Sequence, residues 1–203
     1  LHNRIWERCY GGSNSEVPIK LIRINDSEFY LLGCSLSSDG DVQSKNNGFS
    51  EVWVTKITSE GNIIWSKTYG CNGDEDPRDM VLTPDGGFVF MDRIGWGGGD
   101  VTNFYGLGDV WLCKCDSMGN IEWEKTLGND GLDNGLSLLI NSKGNIMMLG
   151  AAQKTGGMIT CIPDGSWADI WLVEIDMQGN IVWQECYGGS EYDWGINLVE
   201  KVG

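Results

Sequence analysis

A chain of 203 residues that is 41% apolar is long and apolar enough to bury a core, so it belongs with globular and not disordered proteins. Its net charge of −15 excludes the phosphate backbone of nucleic acid as a partner and disfavours an anionic membrane surface. No stretch has the apolar length of a membrane-crossing helix, and no signal peptide opens the chain at Leu1, so the reading is a removed leader or a start within a longer protein.

Thirty glycines against four prolines suit a chain of many tight turns. In order, residues 5–10 (IWERCY) read as a lone strand before a Gly11-Gly12 turn. Strands are expected at 18–24 and 29–35, a long polar loop at 36–50, and strands at 51–58 and 63–69 around a Ser59-Glu60-Gly61-Asn62 turn. The order then recurs. Strands fall at 79–83 and 88–93 around a Pro84-Asp85-Gly86-Gly87 hairpin turn, with a Gly-rich loop to 108 and strands at 109–116 and 120–127. A third set covers 135–141, 145–151, 169–176 and 180–187, and one further strand is expected at 195–201. No helical period occurs anywhere.

The unit is a repeat. DVWLCKCDSMGNIEW (Asp109 to Trp123) returns as EVWVTKITSEGNIIW from Glu51 and as DIWLVEIDMQGNIVW from Asp169. Trp6, Trp65, Trp123 and Trp183 are spaced 59, 58 and 60 residues apart, and Trp53, Trp111 and Trp171 keep the same period. Beyond them stand the acids Glu16, Glu75, Asp133 and Asp193, each six positions past a Tyr or Leu that precedes a glycine turn. Repeats of this length mean a solenoid, a propeller or an array. Four strands per unit, joined by hairpins, point to an all-β β-propeller or part of one, with blades of about 59 residues. The blades run 6–64, 65–122 and 123–182, with a partial repeat at 183–203 and a lone strand at each end. Large rings on the outer strands fill the wedge between blades.

The pattern D-x-W-L-x-K-x-D-x-x-G-N-I-x-W-x-K-x-Y-G-G, followed by an acid and an S/T-x-D-G-G-F hairpin, resembles a β-propeller repeat of secreted and surface-anchored bacterial proteins, often lipoproteins. More distantly it is similar to the tryptophan-docking blades of quinoprotein dehydrogenases. There an Asp opens the third turn of a blade, a Gly ends it and a Trp docks on the next blade. Asp116-Gly119-Trp123 and Asp176-Gly179-Trp183 follow that logic, and Thr58 replaces the Asp in the first unit. The resemblance implies an exported protein at the cell surface or in the periplasm, held by a lipid anchor on a segment outside this chain. It implies fold more than function. No residues for holding the quinone cofactor stand out.

Three units with lone end strands leave three accounts open: a longer propeller with additional blades, strands supplied by a partner or another copy, or a small closed ring. The single histidine, His2, removes Ser-His and Cys-His nucleophiles and histidine metal sites. With 29 acids some carboxylate pair always meets the spacing of glycoside hydrolysis, which keeps a polysaccharide-active enzyme as the alternative. The repeat acids read as structural, accepting backbone N–H groups near the glycine turns. No cofactor is implied except Ca²⁺, for which Asp39 with Asp41, and Asp74 with Asp76, are weak candidates lacking EF-hand spacing. Asp92 stands where the other units have Gly33 and Gly150, with Arg93 beside it to neutralise it. Of the seven cysteines, Cys113 and Cys115 share a strand face and do not suit a mutual bridge. Cys9 and Cys186 occupy equivalent repeat positions, as an apolar structural site would. Most of the seven read as buried thiols, with one bridge left open.

The functional candidates are the long loops between the second and third strands of each unit, expected on one face. They carry the aromatics outside the repeat: Phe49, Trp96, Phe104, Tyr105 and Trp167. Aromatics among Gly and polar residues suit a glycan or a protein partner. The expectation is a non-enzymatic binding or scaffold module, or else a structural subunit of a surface complex, without nucleic acid and without membrane insertion.

Overall fold

The computed structural model describes residues 6–43, 49–153, 157–161 and 167–201. Among them are twelve antiparallel strands and no helix. The first sheet holds β1 (Glu16–Arg23), β2 (Glu28–Ser35), β3 (Glu51–Thr58) and β4 (Ile63–Tyr69). The second holds β5 (Asp76–Leu82), β6 (Phe88–Ile94), β7 (Asp109–Cys115) and β8 (Ile121–Leu127). The third holds β9 (Asp133–Ile140), β10 (Ile146–Ala152), β11 (Asp169–Ile175) and β12 (Ile181–Tyr187). Each sheet is an up-and-down meander whose strand order follows the sequence, and among the described residues the sheets share no strand ladder, only an isolated bridge between Gly108 and Leu132.

The sheets stack. Tyr30, Leu32, Val52 and Val54 of the first face Met80, Phe88, Phe90, Trp111 and Cys113 of the second in one core. Val89, Met91, Val110 and Leu112 leave the opposite face of the second sheet and meet Leu138, Ile146, Met148, Trp171 and Val173 of the third. The middle sheet is therefore covered on both sides, and β7 (DVWLCKC) is buried at every position. This is why its apolar residues do not alternate with polar ones. Ring contacts between Tyr30 and Phe88 (4.8 Å) and between Phe90 and Trp111 (5.2 Å, edge on) tie the first core. Each such side chain contributes roughly 1.5–3 kcal/mol by leaving water.

The tryptophans of the first two sheets' fourth strands clamp neighbouring units. Trp65 donates its indole N–H to Ser117 O (3.3 Å) and Trp123 to Met177 O (2.9 Å), both in the next unit's turn between third and fourth strands. Those turns are shaped by one side chain. Asp116 Oδ1 accepts the N–H groups of Met118 and Asn120, and Asp176 Oδ1 those of Gln178 and Asn180, at 2.8–3.0 Å. Thr58 Oγ1 accepts the equivalent pair at 3.2 Å, a looser version of the same turn. Gly119 and Gly179 adopt positive φ (72° and 81°), and their bare Cα lets the ring of Trp65 or Trp123 pack on the turn. The first strands are linked in their own row. Asp79 receives Lys20 Nζ (2.5 Å) from β1 on one oxygen and the Leu138 N–H of β9 (2.7 Å) on the other.

The expected end strands are not strands. Residues 6–10 and 195–201 carry the repeat's side chains, but among the described residues no strand lies beside them to complete a hydrogen-bond ladder. They still occupy the stations of a fourth and a first strand. Trp6 donates to Ser59 O (2.8 Å) and Tyr10 Oη to Gly61 O (2.8 Å), while Asn197 pairs with Ser137 (2.8 Å). Ile5 and His2 lie outside the described residues.

Candidate functional site: the loop face

The three long connections leave their sheets at the same end, and a recurrent clasp holds each one. The loop residues Gly40-Asp41, Gly99-Asp100 and Gly157-Met158 meet the glycine turns at Gly11, Gly70 and Gly128. Asp41, Asp100 and Met158 donate their N–H to those glycines' carbonyls at 2.9, 2.8 and 3.0 Å. The aspartates also return a bond, accepting Gly11 N (3.2 Å) and Gly70 N (3.1 Å), which Met158 cannot. Gly40, Gly99 and Gly157 have φ of 66°, 60° and 55°, and a Cβ on any of them would sit 2.4 Å from the clasped carbonyl oxygen. Only glycine fits there.

The repeat acids close the turns beneath. Glu75 Oε1 accepts Cys71 N (2.7 Å), Asp133 Oδ2 accepts Asn129 N (2.8 Å) and Asp193 Oδ2 accepts Gly189 N (2.8 Å). Glu16 instead takes the hydroxyls of Ser35 (2.9 Å) and Ser37 (2.5 Å). A second acid opens each third strand, and in the second and third sheets it packs against the same turn. A Cβ on Gly128 would lie 2.0 Å from Asp109 and 3.1 Å from Asp133, and one on Gly188 2.1 Å from Asp169 and 2.7 Å from Asp193. Burial first, then the charges of Asp109 and Asp130, push Asp133 up to about 7. Burial, helped by the charges of Glu51 and Asp74, pushes Glu75 up to about 7 against the opposing Cys71 bonds.

Asp92 is fully buried beside Glu75, and neither carboxylate oxygen has a hydrogen-bond partner among the described residues. Burial, then the Glu75 charge, drive its carboxyl well above its ordinary value. Arg93 does not neutralise it. Neighbouring residues on β6 point to opposite faces, and the Arg93 Nε is itself buried without a partner among the described residues.

The loop aromatics do not form one cluster. Phe104 packs onto the first core. Trp96 is 66% exposed and lies across Gly73 of the neighbouring turn. Tyr105 is exposed while its N–H is held by Asp109 Oδ2 (2.7 Å), and Phe49 is exposed on the first loop. Trp167 lies tilted against Tyr192 (4.8 Å, 39° between planes), and Tyr192 stacks on Trp194 (6.2 Å, 25° between planes). All three rings are about half exposed. Sequence reasoning missed Tyr192 and Trp194. Their signal was that the other turns carry Ser15 and Val17, Asp74 and Asp76, or Leu132 and Asn134 at the same places. Beside the second loop lies a cavity of about 230 Å³, lined by Glu51, Tyr69, Cys71, Asn72 and Asp100 among others.

Among the described residues no group of three or more His, Cys, Asp or Glu side chains is placed to hold a metal ion. The four weak Ca²⁺ candidates are separate and engaged. Asp39 accepts Ser13 N (2.7 Å), Asp41 accepts Gly11 N, Asp74 accepts Ser50 N (3.0 Å), and Asp76 pairs with Arg78. One disulfide, Cys161–Cys186, ties the third loop to β12. Only Cys113 and Cys115 are buried thiols, in contact at 3.9 Å without a bond, and Cys9 is exposed where Cys186 is bridged. The reading of most cysteines as buried is thus corrected. No protein family's model matches the chain, and no curated protein matches it.

Proposed function

We propose that the chain is a segment of a β-propeller acting as a non-enzymatic binding or scaffold module of an exported bacterial protein. Its ligand face is the loop end, where it recognises a glycan or a protein. The observation that carries this reading is the row Trp167–Tyr192–Trp194, three rings in contact and left half exposed although none belongs to the structural repeat. Exposed apolar patches of this kind mark interaction sites. Flat rings in series take the apolar face of a sugar or a partner's side chain. The acids speak for binding over hydrolysis. The close pair Asp109 and Asp133 is fully buried between units, where a glycosidic bond has no access.

The test compares the wild type with the Trp167→Ala/Trp194→Ala double variant. Both are applied to a glycan array and to photo-crosslinking in a bacterial envelope extract, with circular dichroism confirming the fold. The expected result is binding that falls at least about tenfold in the variant, as loss of two exposed rings implies. Identical profiles for the two proteins would sink the loop-face reading.

A further inference from the structure

The outward face of the third sheet repeats, uncovered, the surface that the first two sheets use to hold the next unit. Tyr30, Val52, Val54 and Tyr69 of the first sheet, and Val89, Val110, Leu112 and Leu127 of the second, are all buried under a following sheet. Their counterparts in the third are Met147, Ile170, Leu172 and Tyr187. The first three are only partly covered, and Tyr187 is 53% exposed. The residue 195–201 segment already lies at the first-strand station of a further unit, bonded to Ser137 and Ser142. Beside it is a cavity of about 370 Å³ floored by Met147, Leu172 and Trp183.

The polar corner of this face differs from its predecessors. At one position Arg8, Lys67 and Lys125 each donate to the following unit's turn. Arg8 reaches Gly61 O and Asn62 Oδ1 (both 2.9 Å), Lys67 reaches Asn120 Oδ1 (2.8 Å), and Lys125 reaches Gly179 O. The third unit has Glu185 there, exposed, its carboxylate without a partner among the described residues. Lys56 and Lys114 likewise become Glu174, but that exchange is compensated inside the unit by Asn141 (3.0 Å), Asn145 (2.8 Å), Lys143 (4.0 Å) and the Trp183 indole. Glu185 alone has its complement outside. A turn like those at Asn120 and Asn180, whose Nδ2 groups are held by Asp116 and Asp176, would set carbonyl and amide oxygens against it and leave two sets of acceptors facing each other.

We infer that the third sheet's outward face, Met147–Ile170–Leu172–Tyr187 with Glu185 at its corner, docks a β-sheet partner. That partner presents a Lys or Arg on the turn between its third and fourth strands. The partner is a unit of different turn chemistry and not a second copy of this chain, whose turns carry Asn62, Asn120 and Asn180. The surface is separate from the loop face and does not depend on it.

The experiment extends the chain after Lys201 with a duplicate of residues 142–188, which supplies the missing three strands. In one version the duplicated Asn180 is kept; in the other it is Lys. The Lys version is expected to melt at least about 3 °C above the Asn version, an increment of about 1 kcal/mol for a chain of this size. It should also cut acrylamide quenching of Trp183 about twofold, in a background where the other exposed tryptophans are Phe. Introducing Glu185→Lys should reverse the order of the two versions. Equal melting of both, or no reversal, overturns the proposal. Sedimentation of the unextended chain decides independently should neither extension fold. The wild type is expected to be monomeric, with Glu185→Lys promoting self-association. A wild-type dimer abolished by Leu172→Asp would make a second copy the occupant and refute the basic partner.

Discussion

Replacing Glu75 with Gln isolates the cost of the buried acids between the units. Its carboxyl is held up to about 7, chiefly by burial, from an ordinary value of 4.5. A carboxyl whose folded pKa is raised penalises the folded state only when it must ionise. The penalty is therefore absent below about pH 4.5, grows as pH rises towards 7, and is complete above it. A shift of this size corresponds to an upper bound of about 3.4 kcal/mol, and partial solvent screening through the neighbouring turn reduces it to about 2. Gln retains the oxygen that accepts Cys71 N and removes the charge facing Asp92. Urea unfolding followed by tryptophan fluorescence should show the variant and wild type equal near pH 4. At pH 8 the variant should be more stable by about 2 kcal/mol, or roughly 4–8 °C in Tm. A pH-independent destabilisation of Glu75→Gln would refute the reasoning, since it would mean the carboxylate earns its place through its bonds at every pH.

Two structural predictions follow from the unit clasps. Gly99→Ala forces a Cβ to 2.4 Å from Gly70 O at positive φ, and should cost about 2 kcal/mol or more in denaturant melts while raising amide exchange across residues 95–108. Trp123→Ala removes both the ring packed on Gly179 and the indole bond to Met177 O, and should cost about 3–5 kcal/mol, loosening the third sheet from the second before the first core melts.

How far the chain could be read in advance varies with the kind of force involved. β3 and β4 lie where the sequence places them, because Trp53, Trp65 and the Gly61-Asn62 turn bracket both ends. The first strands begin earlier than expected, at Glu16, Asp76 and Asp133, because bulges near Pro18 and Pro77 interrupt the period-two pattern. Residues 6–10 and 195–201 carry strand-like patterning, but a pattern cannot supply the neighbour that makes a strand. The clasp glycines Gly40, Gly99 and Gly157 keep the repeat spacing of 59 and 58, yet they are hidden among the other loop glycines. Trp167 was visible as a non-repeat aromatic. Its companions Tyr192 and Trp194 were not, since they sit in a turn whose acid, Asp193, is structural. The Cys161–Cys186 bridge depends on tertiary proximity that no spacing encodes.

The ten tryptophans allow the central claim, that repeat tryptophans build and loop tryptophans bind, to be tested in one spectrum. Indole N–H resonances, assigned by single Trp→Phe changes, would be followed while the best glycan from the array is titrated in. The account predicts slow-exchanging, unmoved signals for Trp65, Trp111 and Trp123, and shifts confined to Trp167 and Trp194. Shifts centred on the repeat tryptophans, with Trp167 and Trp194 silent, would contradict it.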